Sequence, residues 1–163
     1  MRKMLTTIAI AIVTTCMASC ERESIQIVGY VDLGLPSGTQ WKEKNEVNPA
    51  DSVYNLYTYD EAMTEFGEQL PTKEQFEELK SVCYWSWNGS GYKVTGPNGK
   101  SIVLPASGWY GYDERVGEVG VEGSYWSSTP TENYAWYLHF YSENVGMYNS
   151  ARWCGCTVRL VHN

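Results

Sequence analysis

Histidines and paired carboxylates, which carry much of the acid-base and nucleophilic chemistry of enzymes, are sparse in this sequence. The two histidines are His139, in an aromatic segment, and His162, next to the C-terminal residue, and neither lies near a nucleophile elbow or a metal-ligand pair. The pairs Glu77-Glu78 and Asp113-Glu114 have the residue types of a glycosidase, but adjacent carboxylates on an exposed helix or loop are usually solvated. The sequence therefore predicts that the protein is not an enzyme.

Metal and redox motifs are equally weak. Cys154 and Cys156 lack the two-residue spacer of a redox or zinc motif, and at positions i and i+2 of a strand both thiols point to one face. Asp113, Glu114 and Glu118 raise the question of calcium, but no EF-hand pattern surrounds them. We expect no metal requirement and no cofactor.

Three cysteines, Cys83, Cys154 and Cys156, remain beside the two near the N-terminus, so at least one thiol has no disulfide partner within the chain. A disulfide between Cys83 and Cys156 suits an oxidising exterior. In an anaerobe both side chains would serve equally well as small buried hydrophobes. The sequence leaves these two alternatives open.

Aromatic rings with a polar edge are abundant, with seven Trp and thirteen Tyr against three Phe. Such rings suit wet binding surfaces as well as cores. If Leu138 and Phe140 face inward on a strand from residue 134 to 141, the alternation of the strand sends three side chains outward together, those of Tyr137, His139 and Tyr141.

The residues that follow extend this predicted surface. We expect a loop to contribute Asn144, Tyr148 and Asn149, and a return strand to contribute Trp153. Antibody loops use the same chemistry, in which Tyr and Trp supply rigid amphipathic area and amides supply adaptable hydrogen bonds. The sequence thus predicts a ligand-binding patch of seven residues. The alternative is an aromatic sheet face that packs beneath another loop.

Helices are expected early in the chain and strands late. A short amphipathic helix is predicted over residues 59–66, and the capping box Thr72-Lys73-Glu74-Gln75 predicts a second helix, with Phe76 and Leu79 on its buried face. Asn98-Gly99 between two β-prone runs predicts a hairpin of residues 92–95 and 101–104. Residues 125–128, 134–141 and 156–161 are predicted as three closing strands of an antiparallel sheet. This order is typical of an α+β fold.

The N-terminus has the pattern of a lipoprotein export signal. Arg2 and Lys3 precede an apolar run from Met4 to Val13 that is too short to span a bilayer, and the small residues before Cys20 resemble a lipobox. We expect a signal peptide at residues 1–19, acylation of Cys20, a tether at 20–27 and one domain at 28–163. Two or more acyl chains give stable membrane attachment. An ordinary signal that leaves Cys20 as a free thiol is the alternative.

Charge argues against nucleic acid as a partner. Removing the signal takes away the positive charges of Arg2 and Lys3, so the formal net charge goes from −7 to −9. Binding to a phosphate backbone requires clustered Lys and Arg, and residues 20–163 contain no such stripe.

Several motifs together resemble a known family. They are the string Val31-Asp32-Leu33-Gly34-Leu35-Pro36-Ser37-Gly38-Thr39-Gln40-Trp41, then Leu70-Pro71-Thr72, Tyr92 to Gly99, Ile102 to Pro105, Gly123 to Pro130, and Arg152 to Val161. In this order they resemble the Fibrobacter succinogenes major paralogous domain family from about residue 29 to the end. The resemblance implies a C-type-lectin-like fold of the formylglycine-generating-enzyme type, with antiparallel sheets, one or two helices and long irregular loops.

The same resemblance implies a setting and a function. The family is abundant in surface lipoproteins of gut Bacteroidetes, and the tail from Tyr125 to Val161 resembles variable proteins of diversity-generating retroelements, in which exposed positions are rewritten. We therefore expect a lipid-anchored protein of the outer membrane or cell surface that binds a protein or glycan ligand on another cell, a phage or the host. The alternative is a structural or adhesion-assembly subunit of the cell envelope. The sequence does not indicate an oligomeric state.

Overall fold

The computed structural model describes residues 27–111 and 116–163. The predicted signal peptide, Cys20 and nearly all of the tether lie outside these residues, as do Asp113 and Glu114. The described part contains two α-helices, α1 (Tyr59–Phe66) and α2 (Lys73–Val82), with a 3-10 turn at Gly67–Gln69 between them. Its strands are β1 (Tyr30–Asp32), β2 (Gln40–Lys42), β3 (Tyr84–Trp87), β4 (Gly91–Thr95), β5 (Ser101–Pro105), β6 (Trp109–Tyr110), β7 (Val116–Gly117), β8 (Gly123–Pro130), β9 (Tyr134–Tyr141), β10 (Asn144–Ala151) and β11 (Val161–His162).

Both predicted helices are confirmed, and each begins with a capping box. In α1 the side chain of Thr58 accepts from the backbone N–H of Glu61, whose carboxylate accepts in return from the N–H of Thr58. Thr72 and Gln75 make the same reciprocal pair at the start of α2. These bonds satisfy donors that the first helical turn would otherwise leave unpaired. None of the helices in the described ranges is long and apolar enough to cross a membrane.

The predicted hairpin is also confirmed, and it carries a third strand. β4 and β5 pair antiparallel on either side of the turn at residues 96–100, and β3 pairs with the other edge of β4. The turn docks on the end of β1, where Asn98 Nδ2 donates to the carbonyl of Asp32 at 2.8 Å. The turn thereby contacts a strand that is far from it in sequence.

Gly96 allows this contact. A Cβ atom at this position would lie 2.0 Å from the carbonyl oxygen of Leu33, which belongs to the backbone and has no rotamer to change. We expect Gly96→Ala to lower the free energy of unfolding by about 1–3 kcal/mol, as overpacking does. Gly117→Ala is the matched control, because nothing lies within 4 Å of its added Cβ. Urea unfolding of both variants measures the difference, and equal stabilities would contradict the close-approach argument.

The closing sheet differs from the prediction in one strand. β8, β9 and β10 form an antiparallel sheet with β9 in the centre, so residues 144–151, predicted as a loop, are its third strand. The turn that joins β9 to β10 is the two residues Ser142-Glu143, and neither of them has a positive φ. A hairpin turn of this kind needs no Asn or Gly, which is why the usual sequence signal for it is missing.

The prediction that residues 156–161 form a closing strand of this sheet is wrong. This segment instead makes single bridges to different elements, with Cys156 opposite Tyr57 and Thr157 opposite Tyr125. Only its end is a strand, because β11 pairs with β2. The β-prone residues of the segment are buried by contacts with several elements, and tertiary context overrides local strand propensity in such cases.

Two buried clusters form the core. The first contains Phe76 and Leu79 of α2 together with residues from β4, β5 and the inward face of β9, which includes Leu138 and Phe140. The second surrounds Trp126 and contains residues of α1 and of the segment 154–160. Two helices and several small antiparallel sheets, packed on these clusters, make the chain an α+β protein.

Candidate functional site

Five of the seven predicted binding residues project from one face of the closing sheet. Tyr137, His139 and Tyr141 alternate along β9, and Tyr148 and Asn144 of β10 stand directly opposite Tyr137 and Tyr141. Side chains of directly paired residues share a face of the sheet, so all five are neighbours. We call these five residues the tyrosine face. Leu138 and Phe140, between them on β9, are fully buried on the other side, as the alternation predicted.

The rings of the tyrosine face contact one another. The ring centroid of His139 lies 6.0 Å from that of Tyr137, 6.4 Å from that of Tyr141 and 5.9 Å from that of Tyr148. Asn144 Nδ2 donates to the hydroxyl of Tyr148 at 3.1 Å. The side chains nearest to solvent are Tyr148, which is 44% exposed, and Tyr141, which is 39% exposed. The face is therefore a connected layer of rings that solvent reaches at two tyrosines.

A glycine sets the position of the Tyr148 ring. Gly146 lies opposite His139 in the register, and a Cβ atom there would approach Cε2 of Tyr148 to 2.8 Å. The ring of Tyr148 thus lies over the bare backbone of its own strand and reaches His139 edge to face. The sequence does not identify this role of Gly146, because it follows from the register of β9 and β10.

Two further residues, which the sequence analysis did not identify, contact the nitrogens of the His139 ring. Ser124 stands opposite His139 on β8, and its Oγ lies 3.1 Å from Nδ1, while Glu122 Oε2 lies 3.7 Å from Nε2. Ser124 is only 1% exposed, so a substrate cannot reach its hydroxyl in this arrangement. Ser124 and Glu122 therefore orient the ring, and they face the opposite imidazole nitrogens from those used by the serine and the acid of a Ser-His-acid triad.

The pKa of His139 is lowered from its ordinary value because burial disfavours the charged ring, with Glu122 opposing this effect. As pH falls through 6.5, the unfolded chain takes up a proton at this position before the folded chain does. We expect the free energy of unfolding to be fully maintained above that pH and to decrease below it. Urea unfolding at about pH 7.5 and about pH 5.5 measures the change. His139→Gln removes the titrating ring and should lose less stability on acidification, and an equal loss in both proteins would contradict this assignment.

Tyr137 connects the tyrosine face to the second core cluster. Its ring lies edge to face on Trp126, with the centroids 5.9 Å apart, and it is only partly exposed. Burial raises the pKa of Tyr137 to about 12. The hydroxyl therefore stays protonated at neutral pH and can donate a hydrogen bond to a ligand.

The other two predicted binding residues lie elsewhere. Asn149 belongs to β10 rather than to a loop, and it pairs with Trp136, so alternation places it on the opposite face of the sheet from Tyr148. On that face Lys73 Nζ lies 4.2 Å from the ring centroid of Trp136. Trp153 follows β10 in a turn rather than a return strand; it is 49% exposed and lines a separate cavity. The prediction of exposed side chains is confirmed for Tyr141, Tyr148, Asn149 and Trp153, whereas Tyr137, His139 and Asn144 are half-buried. The sequence analysis also merged three locations into one.

The cysteines and acidic residues form no metal or redox centre in the described ranges. Cys83, Cys154 and Cys156 are free thiols; Cys83 packs on the first core cluster and Cys156 lies within the second. Burial raises the pKa of Cys83 to about 11 and that of Cys156 well above its ordinary value, which keeps both thiols protonated. No group of His, Cys, Asp and Glu suited to a metal ion occurs among residues 27–111 and 116–163.

Comparison with known proteins places the sheet within a family. No curated protein and no solved structure matches the chain. A family model described as a domain of unknown function (DUF8237) matches residues 69–161, which is more than half of the chain and includes α2 and the whole tyrosine face. The chain therefore belongs to the DUF8237 family.

Proposed function

We propose that this protein is a non-catalytic binding module that recognises a protein or glycan ligand through the tyrosine face. The observation that carries the proposal is the layer of four rings on one sheet face, in which His139 contacts the other three and Tyr148 and Tyr141 are open to solvent. An amide, that of Asn144, is held at the edge of this layer by the Tyr148 hydroxyl.

The rings of the tyrosine face are preorganised for binding. Each ring is held by its neighbours and by a regular antiparallel sheet, so a ligand that packs on the face immobilises few new side-chain rotamers. Tyrosine presents an apolar ring and a hydroxyl at once, and such residues dominate binding energy when a partner excludes water from them. The hydroxyls and the Asn144 amide then provide hydrogen bonds for orientation.

The fold and the cellular location of the module are part of the same proposal. We place the module in a C-type-lectin-like fold, which suits the small antiparallel sheets and the long irregular segment at residues 43–58. The signal and lipobox pattern before Cys20 supports display by a lipid anchor at the outer membrane or cell surface. If members of the family differ in the exposed residues of this face, their ligand specificity would differ, while the buried residues beneath the face maintain the fold.

Removing the most exposed ring tests the proposal. We expect Tyr148→Ala in the full-length protein to weaken binding to its ligand at least about tenfold, because a central exposed tyrosine is a typical hot spot. Tyr134→Ala is the control, since Tyr134 is 48% exposed on the neighbouring strand β9 but projects from the other face of the sheet. Glycan arrays and pull-downs of surface proteins give the readout.

Each result of that comparison has a distinct meaning. Loss of binding in Tyr148→Ala alone supports the tyrosine face. Equal binding by wild type and Tyr148→Ala would reject it. If both proteins recover one envelope protein in constant proportion, the chain is a structural subunit of an assembly rather than a ligand-binding module.

A further inference from the structure

Trp153 lines a cavity that the tyrosine face does not include. The cavity has a volume of about 550 Å³, within the range of small-molecule sites. Three aromatic residues from separate segments form part of its wall: Tyr54 from the loop before α1, Tyr110 from β6, and Trp153 from the turn after β10. Trp153 and Tyr54 are 49% and 43% exposed, so their rings are accessible from solvent. We call this space the Trp153 cavity.

The charged groups on this wall are all acidic in the described part of the chain. Asp51 and Glu61 line the cavity, and no Lys, Arg or His is among its described lining residues. Asp51 is rigidly placed, because its two carboxylate oxygens accept the backbone N–H groups of Tyr54 and Leu56. Glu61 is placed by the capping box of α1, in which one of its oxygens accepts from Thr58. Both carboxylates are thus held beside the rings.

Further carboxylates extend the negative charge along α1. Asp60 and Glu65 lie beside Glu61 on the exposed surface of this helix. Behind the cavity, burial and then the charges of Glu65, Glu46 and Glu61 raise the pKa of Tyr57 to about 12. The chain as a whole carries a formal net charge of −7. A ligand that enters the cavity therefore meets a negative potential.

We propose that the Trp153 cavity binds an organic cation with an apolar body, an alkylammonium or a guanidinium group. The faces of Trp and Tyr rings attract such cations, and Trp does so most strongly. The carboxylates of Asp51 and Glu61 supply the opposite charge. An anionic ligand is disfavoured by the same charges, and a neutral sugar would make no use of them. This inference does not depend on the proposed role of the tyrosine face.

Two sources supply this chemistry. A basic side chain of a protein partner, lysine or arginine, would insert its aliphatic stem between the rings and its charge toward the carboxylates. A free quaternary amine of the choline type would occupy the same space as a separate small molecule. The probes below distinguish these sources.

The test is an NMR titration of the full-length protein in detergent with choline and with its neutral isostere 3,3-dimethyl-1-butanol. Acetylated Gly-Arg-Gly amide, its Gly-Gln-Gly counterpart and methyl glucoside are the other probes. We expect saturable binding of choline or of the arginine peptide, weakening with added salt, and no saturable binding of the neutral probes. The tighter cationic probe identifies the source.

Variants locate the site. Trp153→Ala should weaken cation binding about tenfold, and Trp153→Phe, which keeps a ring and its packing, should weaken it less. Glu61→Gln should weaken binding about threefold, since glutamine preserves the capping box but removes the charge. Glu65→Gln, one turn further along α1 and outside the cavity, is the matched control and should have the smallest effect.

The proposal fails if the neutral isostere binds as tightly as choline, if methyl glucoside competes with the cation, or if both Trp153 variants bind like wild type. Tyr148→Ala, which acts on the tyrosine face, should leave cation binding unchanged. The two proposals therefore fail independently of each other.

Discussion

Arg159→Met should lower the free energy of unfolding by about 3–5 kcal/mol, one of the two largest effects that we expect from a single change in this chain. Arg159 is 1% exposed, and every nitrogen of its guanidinium donates a hydrogen bond. Since domains of this kind are stable by about 5–15 kcal/mol, such a loss would remove much of the stability.

The bonds of Arg159 join the end of β2 and the residues after it to β5, and no strand pairing connects β2 with β5. Nε donates to Asn45 Oδ1 at 2.7 Å, Nη1 to the carbonyls of Lys42 and Glu43 at 2.8 and 2.9 Å, and Nη2 to the carbonyl of Val103 at 2.7 Å. Methionine fills similar space but donates nothing, so these buried acceptors would lose their partners. Each unpaired buried polar group costs about 1–3 kcal/mol.

The positive charge of Arg159 is compensated mainly by the dipoles of the carbonyl groups and the side-chain amide to which it donates. Burial lowers the pKa of Arg159 from its ordinary value, and in the described part of the chain no carboxylate lies within ion-pair distance of it. Arg159→Lys keeps the positive charge, but an ammonium group cannot donate to all the acceptors that the planar guanidinium reaches. It should therefore lose about half as much stability as Arg159→Met.

Urea unfolding of Arg159→Met, Arg159→Lys and a control, Arg152→Met, tests this prediction. Arg152 donates one bond, to the carbonyl of Thr131, and its guanidinium lies over the ring of Tyr59. Its loss should cost about 1–2 kcal/mol. If Arg159→Met were no less stable than the Arg152 variant, the buried guanidinium would not hold these segments together.

Trp126→Ala is the second large change, with an expected loss of about 3–5 kcal/mol. Trp126 is fully buried at the centre of the second core cluster, and its Nε1 donates to the carbonyl of Tyr57 at 2.8 Å. Its ring packs edge to face on Tyr59 and Tyr137. Alanine would therefore leave a cavity and remove one of the two hydrogen bonds that the Tyr57 carbonyl accepts, the other coming from the N–H of Cys156.

Trp153→Ala is the matched control, because it removes the same side chain from a half-exposed position and should cost less than about 1 kcal/mol. Trp126→Phe retains a ring and loses the hydrogen bond, so its free energy of unfolding should lie between those of Trp126→Ala and Trp153→Ala. Urea unfolding measures all three. Because Trp126 supports Tyr137, ligand binding at the tyrosine face should weaken in Trp126→Ala as well. Equal stability of the two Trp→Ala variants would contradict the assigned core role.

Local patterns in the sequence predicted the elements that depend on neighbouring residues. The capping box at Thr72 predicted α2, and Asn98-Gly99 predicted the turn between β4 and β5, because both signals act within a few residues. Alternation along β9 predicted that Leu138 is buried and that Tyr141 faces outward.

Only the tertiary structure decided what pairs across strands. The turn at Ser142-Glu143 carries no sequence signal, so β10 was not predicted. Without β10 there was no strand register, and the register is what places Tyr148 and Asn149 on opposite faces of the sheet. Ser124, Glu122 and Gly146 acquire their roles through pairing or contact with His139 and Tyr148, which no local pattern encodes.

The sequence by itself thus determined the helices, the central hairpin and the outward direction of the aromatic residues on β9. The tertiary structure decided their grouping, placing Tyr148 beside His139, Asn149 on the opposite face and Trp153 in a cavity with Tyr54 and Tyr110. The physical reason is range: caps, turns and alternation are set by bonds and sterics over a few residues, whereas register and cavity walls depend on which distant segments bury each other.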